Sequence, residues 1–398
     1  MLYNDIKSSY ILARRYVERC CIEVEQDGRK IQAFTEHEGK MRVTDWGGTS
    51  SAIGLLHQTG TSGTLDMNQK LKNAANWLIS DQALDGSWEA AEMQCCEATS
   101  AVIFDLFDTQ FLTQEILNKA VKYIQNCYQS DVGAFTSQPC ISQVPHIYTT
   151  YLAVRSLYTV NSATFSREQK EKIITWVNNV KATDGNWGST VSALEGTVAH
   201  TVFALLILYY CGINQKMLIR NYKKQIKWLQ SRIKHCSTIS GSFSYEAIEV
   251  YGNHNKDSYG KKANILKSYH FNTALLCTFF LKINKIGISQ RLIRKLITLR
   301  SQQDGWGLIS ENKIFVWATQ QAIDCMYQFE KIVFKNGKNI FSCFRSFIYN
   351  IPYFGIKLPL VLALVPTTVW LLKDEQKGID IILGIIFLIV PWLVKRED

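Results

Sequence analysis

A chain of 398 residues with 47% hydrophobic residues is long enough for one large domain or two smaller ones, and apolar enough for a sizeable core. The net charge of +10 directs attention to anionic ligands and membrane surfaces. The 11 cysteines lie scattered, mostly in apolar stretches such as those around Cys211 and Cys277, and the pairs Cys20–Cys21 and Cys95–Cys96 lack the CxxC spacing of a zinc site. Buried thiols in a reducing compartment are therefore expected, not disulfides.

The chain opens with MLYNDIKSSYILARRY, which has no apolar core of the signal-peptide kind. From there a repeat takes over. Six threonines, Thr49, Thr99, Thr150, Thr201, Thr273 and Thr319, follow one another at 50, 51, 51, 72 and 46 residues, and each opens an apolar stretch. In four of them an alanine follows three positions later, at Ala52, Ala153, Ala204 and Ala322. A long fixed period marks one supersecondary unit copied along the chain. Each unit is expected to hold an amphipathic outer helix, a turn pairing glycine with an aromatic residue, and an inner helix apolar on most faces, as in Phe203 to Leu208. The turns read DQALDGSW (Gly86, Trp88), YQSDVGAF (Gly133, Phe135), KATDGNWG (Gly185, Trp187), STISGSF (Gly241, Phe243) and SQQDGWG (Gly305, Trp306). The first unit offers only a degenerate turn, TDWGGT, with Trp46 and Gly47.

QALDGSW, and QSDVGAF with phenylalanine in place of tryptophan, resemble the QW repeats of squalene and hopene cyclases and of the related beta subunits of protein prenyltransferases. The resemblance covers residues 10 to 330 and implies an all-α fold, a six-hairpin α/α toroid, over residues 1–335. Residues 336–352 then read as a linker and 353–398 as a two-helix transmembrane hairpin.

Charge is unevenly divided. Residues 1–215 carry 17 basic and 22 acidic side chains, a net of −5, whereas residues 216–345 carry 22 and 7, a net of +15. The excess falls on two expected outer helices. One holds Lys216, Arg220, Lys223, Lys224, Lys227, Arg232 and Lys234, and the other Arg291, Arg294, Lys295 and Arg300. They suit a solvated helix face, an anionic membrane surface, or an anionic small-molecule or oligonucleotide ligand.

Leu358 to Leu372 and Ile381 to Val394 carry no charge, with KDEQKGID between them. Lys357 snorkelling at the start of the first segment extends it to spanning length. Lysines and arginines outside the two segments place both ends in the cytoplasm, so an inner-membrane protein with a cytoplasmic toroid is expected. Pro359, Pro366 and Pro391 interrupt the segments, and Thr367 and Asp380 could face a lumen or another copy of the chain. A pore, a homo-oligomer formed through the hairpin, and a plain lipid anchor all remain open.

The family resemblance implies two chemistries, and this chain departs from both. Cyclases of the class II type protonate an alkene with an Asp-x-Asp-Asp motif, which is absent here. The prenyltransferases hold zinc with an Asp-x-Cys pair and a histidine; here Asp324 adjoins Cys325, and His270 and Cys277 lie on another inner helix. No catalytic residue, metal or cofactor is assigned on the motifs. The residues expected to line the ring interior are Trp46, Glu97, Tyr148, Thr149, Glu195, His200, Tyr269, His270, Asn272 and Trp317, all at or just before the repeat threonines. Their aromatic and hydrogen-bonding character suits a nucleobase or an isoprenoid chain. The layout of a toroid followed by a short hairpin is similar to bacterial membrane effectors of nucleotide-signalled anti-phage defence. The readings are then a non-catalytic sensor controlling the hairpin, a membrane-tethered cyclase- or prenyltransferase-like enzyme acting on an isoprenoid diphosphate, or a docking scaffold.

Overall fold

A computed structural model describes residues 2–335, apart from residues 27, 61–64, 91–92, 140–143, 191–192, 238–241, 251–263 and 309–312. The chain divides into a compact unit Met1–Gln328 and a second unit Phe329–Asp398. The first unit is an α/α toroid. Its inner helices are α2 (Ser50–Thr59), α4 (Cys96–Leu106), α6 (Ile147–Val160), α8 (Val198–Tyr210), α11 (Asn272–Lys282) and α13 (Val316–Glu330). Its outer helices are α1 (Leu2–Arg19), α3 (Leu65–Ser80), α5 (Gln114–Asn126), α7 (Arg167–Asn179), the pair α9 (Gln215–Asn221) and α10 (Lys223–Arg232), and α12 (Ile286–Thr298). Burial follows the hydrophobic pattern. In α8 every residue from Ala199 to Leu208 is buried, whereas α5 buries only Leu117, Ala120, Tyr123 and Ile124. Successive inner helices pack side by side from α2 to α11. The ring closes where Gln58 of α2 donates to Asp324 of α13 at 3.1 Å, Val316 N–H donates to the Glu36 carbonyl at 2.8 Å, and Arg19 donates to the Gln303 carbonyl at 2.9 Å.

The repeat threonines act as clamps. The Oγ1 atoms of Thr99, Thr150, Thr201 and Thr319 accept the backbone N–H of Trp88, Phe135, Trp187 and Trp306 at 3.0 to 3.3 Å, tying each turn to the first turn of its inner helix. Where the aromatic is tryptophan, its indole N–H donates to a carbonyl ten residues earlier, at the end of the preceding outer helix. These bonds are Trp88 to Leu78, Trp187 to Val177 and Trp306 to Leu296, each at 2.7 Å. The glutamine of QALDGSW couples neighbouring units: Gln82 donates to the carbonyls of Gly86 and, in the next outer helix, Ile116. Gly86 is required twice over, since its φ is +94° and a Cβ there would collide with the Lys119 carbonyl.

Several expectations need correction. The fold is not purely helical. It carries short antiparallel hairpins, most of them beside a glycine-aromatic turn: β1 (Cys21–Gln26) with β2 (Arg29–Phe34), β3 (Trp88–Ala90) with β4 (Met93–Cys95), β5 (Tyr128–Gln129) with β6 (Ala134–Phe135), β7 (Phe243–Val250) with β8 (Asn264–Phe271), and β9 (Trp306–Leu308) with β10 (Lys313–Phe315); the described residues of the Gly185–Trp187 turn form no strand. In the first unit Phe34, not Trp46, is the clamped aromatic: its N–H donates to Thr49 Oγ1 at 3.1 Å, fifteen residues away. The basic outer helix over 216–234 breaks at Tyr222 into α9 and α10. Thr273 departs from the clamp pattern and donates to Ser242 Oγ at 2.9 Å. There the 72-residue gap is taken up by the eight-residue strands β7 and β8. The nine described cysteines form no disulfide, and all but Cys21 are buried. No helix among the described residues is long and apolar enough to cross a membrane; the expected hairpin lies outside the described residues.

Candidate functional site

The β7–β8 hairpin sets the site. Its register places Ser244 opposite His270 and Glu246 opposite Ser268. Side chains of a strand alternate between faces, so Ser244, Glu246, Ser268 and His270 share one face and Tyr245, Ala247 and Lys267 the other. The inward face buries Glu246, Ser268 and His270, while Tyr245 is 65% exposed. Glu246 and His270 are diagonal neighbours across the two strands, within reach of each other. His200 meets them from the first turn of α8. Its orientation follows from the helix cap: Thr197 Oγ1 accepts His200 N–H at 3.2 Å and lies 2.7 Å from His200 Nδ1, leaving Nε2 to point at the hairpin.

The result is a buried His–Glu–His cluster. His200 Nε2 is 2.5 Å from Glu246 Oε2, and His270 Nε2 is 3.1 Å from Glu246 Oε1. The three residues are 2 to 5% exposed. Burial pushes the Glu246 carboxyl upward, but the hydrogen bonds from both imidazoles, reinforced by their charges, outweigh it and hold the group at about 2. Burial lowers the His270 pKa, with Glu246 opposing that shift. These three residues are the described ones whose ligand types and spacing suit a metal ion, their donor atoms all lying within 4.8 Å of one another. The set implied by the prenyltransferase resemblance does not assemble. Cys325 Sγ is 3.2 Å from the Ala274 carbonyl it bonds, and Asp324 is held by Gln58 and Gln328.

From the cluster an aromatic wall runs down α6 and α8. Tyr148 meets His270 edge-on at 4.6 Å between centroids, Phe203 lies 5.2 Å from Tyr148, and Tyr151 stacks on Phe203 at 4.7 Å. One turn further along α6, Arg155 Nη1 donates to the Tyr151 hydroxyl at 3.3 Å and its guanidinium lies 3.7 Å above the Phe104 ring. Arg155 Nε has no hydrogen-bond partner. Around it stand two carboxyls. Burial raises the Asp105 pKa to about 6 against Arg155, Ser50 and Ser51, and it raises that of Asp324 as well. Thus helices that end on a closed cluster at one extremity carry half-buried charges at the other.

The residues expected at the interior do not all meet at one point. Tyr148, His200 and His270 converge as described. Glu97 and Thr149 meet in a separate buried bond, Thr149 donating to Glu97 Oε1, which also accepts from Ser137 at 2.5 Å; Glu97 Oε2 has no partner. Asn272 accepts from Ser244 at 3.1 Å at the hairpin base. Tyr269 and Trp317 stack on Phe315 at 6.2 and 5.6 Å. Trp46 is half-buried in the segment before α2. Glu195 does not join them: it is exposed in the loop ahead of α8. Glu246 and Arg155 were missed. The enlarged gap before Thr273 was the signal for the first, and α6 spacing from Tyr148 to Arg155, seven residues or two turns, the signal for the second.

On the basic outer helices Lys216, Arg220, Lys223, Lys224, Lys227, Arg291 and Arg294 are exposed. Lys295 is instead spent on the fold, donating to the Ile233 carbonyl at 2.6 Å. Lys357, Pro359, Pro366, Thr367, Asp380 and Pro391 lie outside the described residues.

No curated protein matches the sequence. A type II terpene cyclase variant from Scytonema, solved with geranylgeranyl dihydroxybenzoate, is 11% identical, with 83% of this chain and 99% of that chain covered and a TM-score of 0.47. An unsaturated glucuronyl hydrolase specific for heparin is 12% identical, covering 83% and 97%, also with a TM-score of 0.47. A protein from Actinoplanes is 12% identical, covering 83% and 99%, with a TM-score of 0.35. At such distances these likenesses assign no activity. The model of the prenyltransferase alpha-alpha toroid domain matches residues 95–252, a span that takes in α4 through β7 and includes His200 and Glu246.

Proposed function

We propose that the protein is an enzyme that takes an isoprenoid-class chain into the ring interior and transforms it at the His200–Glu246–His270 end. One observation carries this reading: a continuous interior face of α6 and α8 links a buried charged cluster, through Tyr148, Phe203 and Tyr151, to the Arg155 guanidinium. Aromatic faces suit an unsaturated hydrocarbon and any cationic centre formed along it. A guanidinium suits an anionic head such as a diphosphate. The match to the prenyltransferase toroid model supports the same substrate class. Glu246, held ionised, is the wrong state to protonate an alkene, which disfavours cyclase-type initiation at that end.

The test is incubation of the full chain, in detergent, with farnesyl or geranylgeranyl diphosphate and divalent metal, followed by mass spectrometry. Consumption of the diphosphate is expected to fall by about 100-fold or more in Glu246→Gln, and binding to weaken about tenfold in Arg155→Ala. A folded chain that neither binds nor consumes either compound sinks the reading.

The two uncharged runs, Leu358 to Leu372 and Ile381 to Val394, favour a second reading. In it the toroid is a sensor of an anionic ligand that controls a hairpin in the plasma membrane, with lipids and further copies of the chain as partners, as in a defence effector. Membrane depolarisation by the full chain, but not by a chain stopped before Ser346, is the expected result; equal potentials with both, with or without ligand, count against it.

A further inference from the structure

We propose that His200, Glu246 and His270 form a binding site for a divalent first-row transition metal ion. The inference deepens the reading above by naming what occupies the reactive end of the ring, and it depends on that reading for its role in the reaction. The ion's place, by contrast, is argued from geometry alone. Two imidazoles and a carboxylate are a recurring ligand set for zinc and for iron, leaving coordination positions open for a substrate atom or water. An ion about 2.0 to 2.1 Å from each donor sets tetrahedral donors about 3.3 Å apart. The present separations are near that value: 2.5 and 3.1 Å for the two imidazole–carboxylate pairs, with all the donor atoms within 4.8 Å of one another.

Three further features fit. Both histidines present the same nitrogen, Nε2, to one point. His200 is held from behind through Nδ1 by Thr197 Oγ1 at 2.7 Å, the outer hydrogen bond that typically orients a metal-binding imidazole. The donors stand on the rigid first turn of α8 and on paired strands, enclosed by Tyr148 and Phe203, so water competes weakly for the ion. A simple hydrogen-bonded latch explains the short contacts, but not why two buried imidazoles converge on a single carboxylate. One imidazolium would satisfy that charge, and a second buried histidine adds a desolvation cost that a dication recovers.

The experiment uses the full chain, stripped with EDTA, checked for fold by circular dichroism, and titrated with Co²⁺ and then Zn²⁺. We expect one Co²⁺ per chain with a visible absorption band, displaced by Zn²⁺. Affinity should fall by about 100-fold or more in His270→Ala and in Glu246→Gln, the latter keeping the shape and hydrogen bonds of the hairpin. Thr197→Val should weaken binding about 10- to 100-fold, and Thr197→Ser should restore it. A folded chain that takes up neither ion overturns the proposal, as does uptake that both ligand variants leave unchanged. Metal uptake lost in those variants, in a chain that ignores isoprenoid diphosphates, upholds the metal site and removes only the function proposed above.

Discussion

The regular turns and the β7–β8 hairpin occupy equivalent places in the ring and do opposite work. At Trp88, Trp187 and Trp306 the turn is tied down by its own repeat: the threonine accepts the backbone N–H and the indole donates to a carbonyl in the last turn of the outer helix. At the enlarged turn Thr273 bonds to Ser242, and the lengthened strands carry Glu246 and His270 onto His200 of the preceding unit. Repetition builds the frame, and the interruption of the repeat builds the site.

The comparison can be broken most severely at the hairpin. Glu246→Leu removes the carboxylate shared by two buried histidines and should cost about 3 to 5 kcal/mol, read as a lowered urea midpoint with an unchanged slope. A loss below 1 kcal/mol would mean that the cluster does not hold the hairpin to the ring. Next in size is a break in the regular frame. Gly86→Ala forces a side chain into positive φ and against the Lys119 carbonyl, so a loss of about 2 to 3 kcal/mol is expected, with no effect on metal uptake. Smaller again is Trp187→Phe, which strands the Val177 carbonyl and should cost about 1 to 2 kcal/mol in thermal or urea unfolding; an equal cost for Phe135→Leu would show that packing, not the indole bond, sets the value.

A last prediction sharpens the comparison through pH. Asp45 accepts the Glu89 N–H at 3.2 Å, and its pKa is raised to about 8, by burial first and then by the neighbouring Asp81. The folded chain therefore holds a proton that the unfolded chain releases near the ordinary value of 3.8. Stability from this group is full below that value, is lost as pH rises, and is gone above about 8. The gap between Asp45→Asn and the parent should then widen in the variant's favour as pH rises from 4 toward 8, and level off above that range. A gap that stays constant from pH 4 to 9 would contradict the protonated state of Asp45.

Much of this was legible in the residues. The threonine spacing and the glycine-aromatic strings predicted the helical hairpins, because a clamp copied five times leaves a period that needs no contacts to be seen. His200 and His270 stood out as polar residues beside those threonines. Glu246 did not, since nothing in the sequence marks it out from Glu249 three residues on; only the cross-strand register gives it an inward face. Trp46 was misread for a related reason. It sits closer to Thr49 than Phe34 does, yet Phe34 reaches Thr49 across fifteen residues because β1 and β2 fold back first.

The sequence by itself determined the ring: local propensity, glycine at the turns and apolar inner helices all repeat at short range, so each unit specifies its own hairpin. Only the tertiary structure decided the site, because a buried carboxylate is defined by what surrounds it. Glu246 takes its charge state from imidazoles 46 and 24 residues away, and that convergence exists only after the hairpin has paired and the ring has closed around it.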